Sequence, residues 1–277
     1  MEQWRLIPFD RFNAFENMAI DEAILQNSQR GAIPPTLRFY SWQRDTVSLG
    51  YFQDASREVD LDYCRAAHID VVRRPTGGKA VLHEHDLTYS VVAREDDPPF
   101  SSDIMETYRV ISQCLIGGLH GIGIEAYMME EGRTHRKGTV DAFCFSVPSQ
   151  YELLVEGRKI CGSAQVRGKG SFLQHGSILI DADPSRIHSA ITIDEEDSED
   201  GLARLQSSIT SVHDYLADGV SLARLCEGIS KTFEELFDVQ LVPGDITEGE
   251  EALKERLLQD KYTMDSWNLK GKRRNET

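Results

Sequence analysis

Residues 151–181 hold three runs rich in apolar and β-branched residues, 151–155, 158–166 and 172–181, separated only by Glu156-Gly157 and by Gly168-Lys169-Gly170. Connections this short need backbone with positive φ, which glycine adopts freely, and they join antiparallel neighbours. The middle of the chain is therefore committed to an antiparallel meander. If Glu156-Gly157 closes a simple hairpin, Lys159 pairs opposite Leu154. Strand patterns also occupy 4–9, 36–42, 46–52, 70–74 and 87–93, and helical spacing runs through 13–29, 59–68 and 105–120. Beyond residue 210 the pattern turns helical, with 221–237 and 248–258 flanking a short strand at 240–242. The expectation is one α+β domain spanning 1–277, with mixed, mainly antiparallel sheets flanked by helices. Its core covers about 1–210, and a helical C-terminal extension covers about 211–277.

Charge and composition narrow the function classes. Thirty Lys and Arg against 46 Asp and Glu leave a net charge of −16, a field that repels nucleic acid and anionic membrane. No apolar run approaches the ~18 residues of a membrane span, and the first residues lack the basic start and apolar stretch of a signal peptide. A cytoplasmic, monomeric protein with no nucleic-acid or membrane partner is expected. Cys64, Cys114, Cys144, Cys161 and Cys226 are scattered and never form a C-x-x-C pair, so neither a disulfide framework nor a zinc site is indicated. The charge run at 194–200 reads as a solvated loop.

The segment Arg73-Arg74-Pro75-Thr76-Gly77-Gly78-Lys79-Ala80-Val81-Leu82-His83 places cations around two consecutive glycines at the end of a strand. Glycines let backbone N–H groups approach an anion that Arg and Lys neutralise, although a hairpin turn with solvated charges has the same composition. Neither G-x-x-x-x-G-K-[ST] nor a strand-linked G-x-G-x-x-G is present, and G-x-S-x-G is missing around Ser163 and Ser177. His83 and His85 share a strand face without a third ligand at metal spacing, so they read as structural, and Asp86 reads as a turn acceptor. Cys144, in Phe143-Cys144-Phe145, is either a buried apolar thiol or a nucleophile. The second role needs a thiolate, and Lys159 or the basic loop Arg133, Arg136 and Lys137 could assist it.

Taken together, Arg73-Arg74-Pro75-Thr76-Gly77-Gly78, Leu82-His83, Leu87-Thr88-Tyr89-Ser90, Gly157-Arg158-Lys159-Ile160-Cys161-Gly162-Ser163-Ala164-Gln165 and Gln174-His175-Gly176-Ser177 form an ordered set. That set resembles the biotin and lipoate protein ligase superfamily, and the similarity runs over nearly the whole chain, up to Trp267-Asn268. ATP-using lipoate ligases typically carry a third glycine where this chain has Lys79. The segment Cys144-Phe145, Pro148-Ser149 and Tyr151-Glu152-Leu153 resembles the cysteine loop of the octanoyltransferases of Gram-positive bacteria.

The resemblance implies a biotin/lipoate protein ligase-like catalytic domain acting in lipoate biosynthesis. It implies that octanoyl passes from octanoyl-acyl carrier protein to a lysine of a lipoyl domain, the glycine cleavage H protein foremost, through a thioester on Cys144. Lys159 then corresponds to the lysine of the acyl pocket. Arg73, Thr76, Gly77, Gly78, His83, Gly162, Ser163, Ala164 and His175 become substrate-binding candidates, with Arg73 and Thr76 at the pocket mouth. No cofactor or metal is expected, because a thioester donor is already activated. The alternatives are an octanoyl amidotransferase working between lipoyl domains, an ATP-dependent lipoate-protein ligase, and a non-catalytic acyl-protein binder on the same scaffold.

Overall fold

The structure, a computed structural model, describes residues 1–31, 33–129, 152–191, 198–216 and 219–270. Strand β1 (Glu2–Phe12) ends at Asn13, whose side chain accepts from the amides of Phe15 and Glu16 while Glu16 accepts from the Asn13 amide. This reciprocal cap starts helix α1 (Ala14–Ser28). Strand β2 (Thr36–Trp42) returns parallel to β1, and β6 (Asp86–Arg94) pairs antiparallel with β2.

The meander forms as the turns dictate. Strand β9 (Arg158–Gly168) runs antiparallel to both β8 (Leu153–Val155) and β10 (Ser171–Leu179), with positive φ at Glu156, Gly157, Lys169 and Gly170. Leu154 stands opposite Lys159. With β7 (Tyr127–Met128) and β11 (Val239–Pro243) the large sheet has the order β11-β1-β2-β6-β10-β9-β8-β7. A second sheet holds β3 (Thr46–Leu49), β4 (Asp70–Arg73) and β5 (Val81–His83) in the order β4-β3-β5. The architecture is the mixed, mainly antiparallel α+β fold expected from the sequence.

Residues alternate along β6 between two environments. Leu87, Tyr89, Val91 and Ala93 enter the main apolar core with Ile111 and Leu115 of α4 (Ile104–Gly121) and with Ile229 and Phe233 of α7 (Leu222–Phe237). Val92 faces the other way, against Ile20 and Ile24 of α1. The large sheet is thus covered by α4 and α7 on one face and by α1 on the other.

Local readings missed some detail. β3 stops at Leu49, the helix expected at 59–68 forms as α3 (Leu61–Ala66), and a further short helix, α2 (Ala55–Glu58), precedes it, each capped by an aspartate. Helices α5 (Pro184–Ala190) and α6 (Ser198–Ser208) were not evident from the pattern. Most of the charge run lies outside the described residues. Past residue 210, α7 packs on α4, β11 pairs with the edge of β1, and α8 (Glu248–Leu257) rests on α1, where buried Arg5 and Glu250 form a bidentate pair at 2.6 and 2.7 Å. Among the described residues, no helix is long and apolar enough to cross a membrane.

Candidate active site

A partly open, mainly apolar cleft lies where β9 and β10 meet the glycine-containing loop and the edge of the second sheet. A concave, mostly apolar lining with a few polar groups suits a small-molecule site. Six of the expected substrate-binding residues line it: Gly78, His83, Gly162, Ser163, Ala164 and His175.

Lys159 comes to lie behind Gly162, a cleft residue, through an irregularity in the meander. Between β8 and β9 the register steps from Leu154–Lys159 to Leu153–Cys161, so Ile160 is an extra residue on β9. A bulge of this kind re-aims the side chains around it. Ile160 and Cys161 both turn into the main core, while the end of the Lys159 side chain lies beside Gly162, three residues further on. A Cβ placed on Gly162 would lie 3.2 Å from Lys159 Nζ, so the bare glycine backbone is what leaves room for the lysine. The Lys159 side chain is fully buried, and its Nζ donates to Glu152 Oε1 at 2.5 Å. A buried ammonium and carboxylate in contact compensate each other's loss of water.

Two histidine–carboxylate pairs stiffen the walls. His83 Nδ1 contacts Asp86 Oδ2 at 2.7 Å, His83 Nε2 contacts Ser48 Oγ at 2.8 Å, and the ring stacks on Trp42 at 4.2 Å. Asp86 also accepts from Thr88 at 3.0 Å and from Ser177. Burial raises the Asp86 carboxyl, but His83 and these donors outweigh it and hold the group below the usual carboxylate range. Asp86, read as a turn acceptor, instead orients His83, and exposed His85 does not share the site. On the other wall, His175 Nε2 contacts Thr76 Oγ1 at 2.7 Å and His175 Nδ1 faces Asp21 Oδ2 at 3.2 Å. Burial lowers the His175 imidazole below its ordinary range despite Asp21. Among the described residues, no cluster of three or more His, Cys, Asp or Glu could hold a metal ion.

Some expected residues stand elsewhere. Arg73 is fully buried behind the loop and Thr76 is buried against His175, so neither shapes the mouth. Arg74 is buried too, its guanidinium bonding Ser48 Oγ and the carbonyls of Ser48, Gly77 and Lys79 at 2.7–3.0 Å. Carbonyls of Ser48 and of the loop itself thus take up the Arg74 guanidinium, and backbone carbonyls elsewhere take up that of Arg73. Gly77 contributes its carbonyl to that clamp, and Gly78 has a φ of 92°. Cys144, Arg133, Arg136 and Lys137 lie outside the described residues. Sequence reasoning missed Glu152, which was visible only as part of the Tyr151-Glu152-Leu153 motif, and Asp21, buried at 0% exposure in α1.

The mixed sheet thus carries an apolar cleft walled in part by the glycine loop, with a buried lysine beside it, the layout of a domain that takes up a small apolar group. Residues 13–234 match the family described as the lipoyl protein ligase A/B catalytic domain. The chain is 42% identical to octanoyltransferase LipM of Kyrpidia tusciae over 98% of this chain and 100% of that one. It is 40% identical to octanoyltransferase LipM of Brevibacillus brevis with the same coverage. A lipoate-protein ligase A bound with ATP superposes with a TM-score of 0.80 at 30% identity, covering 97% of this chain and 99% of that one. A bi-partite lipoate protein ligase solved with its E2 lipoyl domain, from Thermoplasma acidophilum, gives 0.82 at 28% over 100% of both. The chain belongs to the lipoyl protein ligase A/B catalytic domain family and, within it, to the LipM group of octanoyltransferases, a family of acyltransferases.

Proposed function

We propose that the protein transfers octanoyl from octanoyl-acyl carrier protein to a lysine of a lipoyl domain, the glycine cleavage H protein foremost, through a thioester on Cys144 and without nucleotide. The observation that carries this reading is the buried Lys159–Glu152 pair beside Gly162, which itself lines the apolar cleft. Its relatives named octanoyltransferase LipM, and the neighbour solved with an E2 lipoyl domain, support the acyl group and the class of acceptor.

The chemistry needs no outside energy. The Cys144 thiolate attacks the octanoyl carbonyl, the C–S bond to the carrier's thiol breaks, and the departing thiolate takes up a proton. The neutral amine of the acceptor lysine then attacks the acyl-enzyme, loses its proton and releases the Cys144 thiolate, leaving an amide. Ion pairing with Glu152 favours an electrostatic role for Lys159, an ammonium that stabilises the thiolate and the developing oxyanion, over a role as a neutral base. The other four cysteines are poor nucleophiles. Burial pushes the thiol of Cys64 up to about 11 and those of Cys161 and Cys226 up to about 12, and it raises that of Cys114 well above the ordinary value.

The test is mass spectrometry of the purified protein incubated with octanoyl-acyl carrier protein alone, followed by peptide mapping. A hydroxylamine-labile octanoyl group on Cys144, absent from Cys144→Ala, is expected, and adding H protein should discharge it. Octanoyl on another cysteine, or full transfer by Cys144→Ala, overturns the mechanism. Modification only with ATP and free octanoate identifies a ligase like the ATP-bound neighbour, and H protein acting as the donor identifies an amidotransferase.

A further inference from the structure

The Arg73 guanidinium is buried in a cage made by two distant parts of the chain. Its Nη1 donates to the carbonyls of Gly50, Tyr51 and Gln53 at 2.7–3.1 Å, while Nε donates to Trp267 O at 2.9 Å and Nη2 to Asn268 O at 3.2 Å. The backbone joins in, with the Arg73 amide donating to Asn268 Oδ1 at 3.0 Å and the Trp267 indole donating to Arg73 O at 3.1 Å. Trp267 and Asn268 belong to the short helix α9 (Asp265–Asn268), more than thirty residues past the end of the matched catalytic domain.

The 50–53 turn bears directly on the glycine loop. The Tyr51 amide donates to Thr76 O at 2.8 Å. A Cβ on Gly50 would overlap the Gly78 carbonyl oxygen, so the two backbones touch. Gly78 lines the acyl cleft, and Thr76 holds His175, which lines it as well. An unbroken series of contacts therefore leads from α9 through Arg73 and the 50–53 turn to the cleft. The far side of α9 is anchored too. Asn268 Nδ2 donates to Tyr262 O at 2.6 Å, and Lys261 lies over the Trp267 ring at 3.8 Å while pairing with Glu22 of α1 at 2.6 Å.

We infer that Trp267 and Asn268 are positioning residues: the C-terminal strap they form sets the glycine loop through Arg73, and so sets the shape of the acyl cleft. This inference rests on the reading of that cleft as the acyl site. Neither residue touches the cleft, so their effect belongs to acyl binding and not to the chemical step. Arg73 takes five carbonyl oxygens as acceptors, two of them from the strap. Losing the strap leaves a buried guanidinium short of partners, and the turn must shift to compensate.

Asn268→Ala and Trp267→Phe, which keeps the ring but loses the indole N–H, test the inference with two measurements. Hydrogen exchange of the full-length protein without substrate should show faster exchange at the Tyr51 and Arg74 amides, while α4 and α7 stay unchanged. Steady-state transfer should show KM for the octanoyl donor raised on the order of tenfold, with kcat within about twofold. Asn268→Asp, which keeps the acceptor for the Arg73 amide, should recover much of the loss. Unchanged exchange at 50–53 and 74–79, or unchanged KM in the folded variants, overturns the inference and leaves the strap a purely structural anchor. The exchange result bears on the strap alone, whereas a wild-type protein unable to transfer octanoyl would count against the acyl reading.

Discussion

Glu152 and Lys159 stand seven residues apart across the β8–β9 hairpin, and their side chains meet at 2.5 Å behind Gly162, with the Lys159 side chain fully enclosed. Enclosure on its own would favour a neutral amine, and the carboxylate is what makes a charged one tolerable. Glu152→Gln should therefore slow Cys144 acylation on the order of tenfold or more at neutral pH. Glu152→Asp should lose less. Burst kinetics with a small octanoyl thioester across pH 6–9 checks this, and faster acylation in Glu152→Gln would mean that Lys159 works as a neutral base.

Gly162 offers a second probe of the same lysine. A methyl group there sits 3.1 Å from Lys159 Cε and 3.2 Å from Nζ, closer than carbon normally packs, so the lysine must yield by a few tenths of an ångström. Gly162→Ala should lower kcat by roughly tenfold or more, since small misplacements of a catalytic group are costly, while the melting temperature stays within a few degrees of wild type. Normal kcat in a normally stable variant would separate Lys159 from the chemistry.

How much of this was legible in the sequence depends on how local the cause was. The turns at Glu156-Gly157 and Lys169-Gly170 are local chemistry, so the meander and the Leu154–Lys159 register followed directly. The bulge at Ile160 is not local. Plain alternation would put Lys159 and Gly162 on opposite faces, and only packing of both Ile160 and Cys161 into the core reverses that. Arg73 and Arg74 failed for a similar reason. Cations beside glycines look like an anion site, but every acceptor of Arg73's guanidinium and part of the set for Arg74 come from residues 48–53 and 267–268, which no local pattern joins to the loop. Strand β5 is only three residues long, and β2 and β3 enter different sheets despite being neighbours in sequence.

The contact between Gly50 and Gly78 sets a further expectation. In Gly50→Ala the new methyl group meets backbone, which cannot rotate away, so the glycine loop must lift off the 50–53 turn. A loss of about 1–3 kcal/mol of stability is expected, with KM for the octanoyl donor raised in the remaining folded protein. Gly77→Ala is the control, because open space surrounds that position. Denaturant titration and steady-state kinetics of the two variants decide it, and equal effects would remove the special role of the Gly50 contact.

Glu84 makes a prediction about pH. Burial, then the nearby charges of Asp45, Asp183 and Asp181, push its carboxyl up to about 7, even though Arg186 contacts it at 2.5 Å and pulls the other way. The unfolded chain loses this proton near pH 4.5, whereas the folded chain keeps it until about 7. Between those values the native state binds more protons than the unfolded state, so this group's contribution to stability falls as pH rises from about 4.5 to 7 and then levels off. Glu84→Gln cannot titrate, so its stability should exceed that of wild type by a margin that widens from pH 5 to pH 8. Arg186 also pairs with Asp45 at 2.7 Å and so keeps a charged partner in the variant. Urea unfolding at pH 5, 6, 7 and 8 measures the margin, and a constant difference across that range would show that Glu84 is already ionised in the folded protein at pH 5.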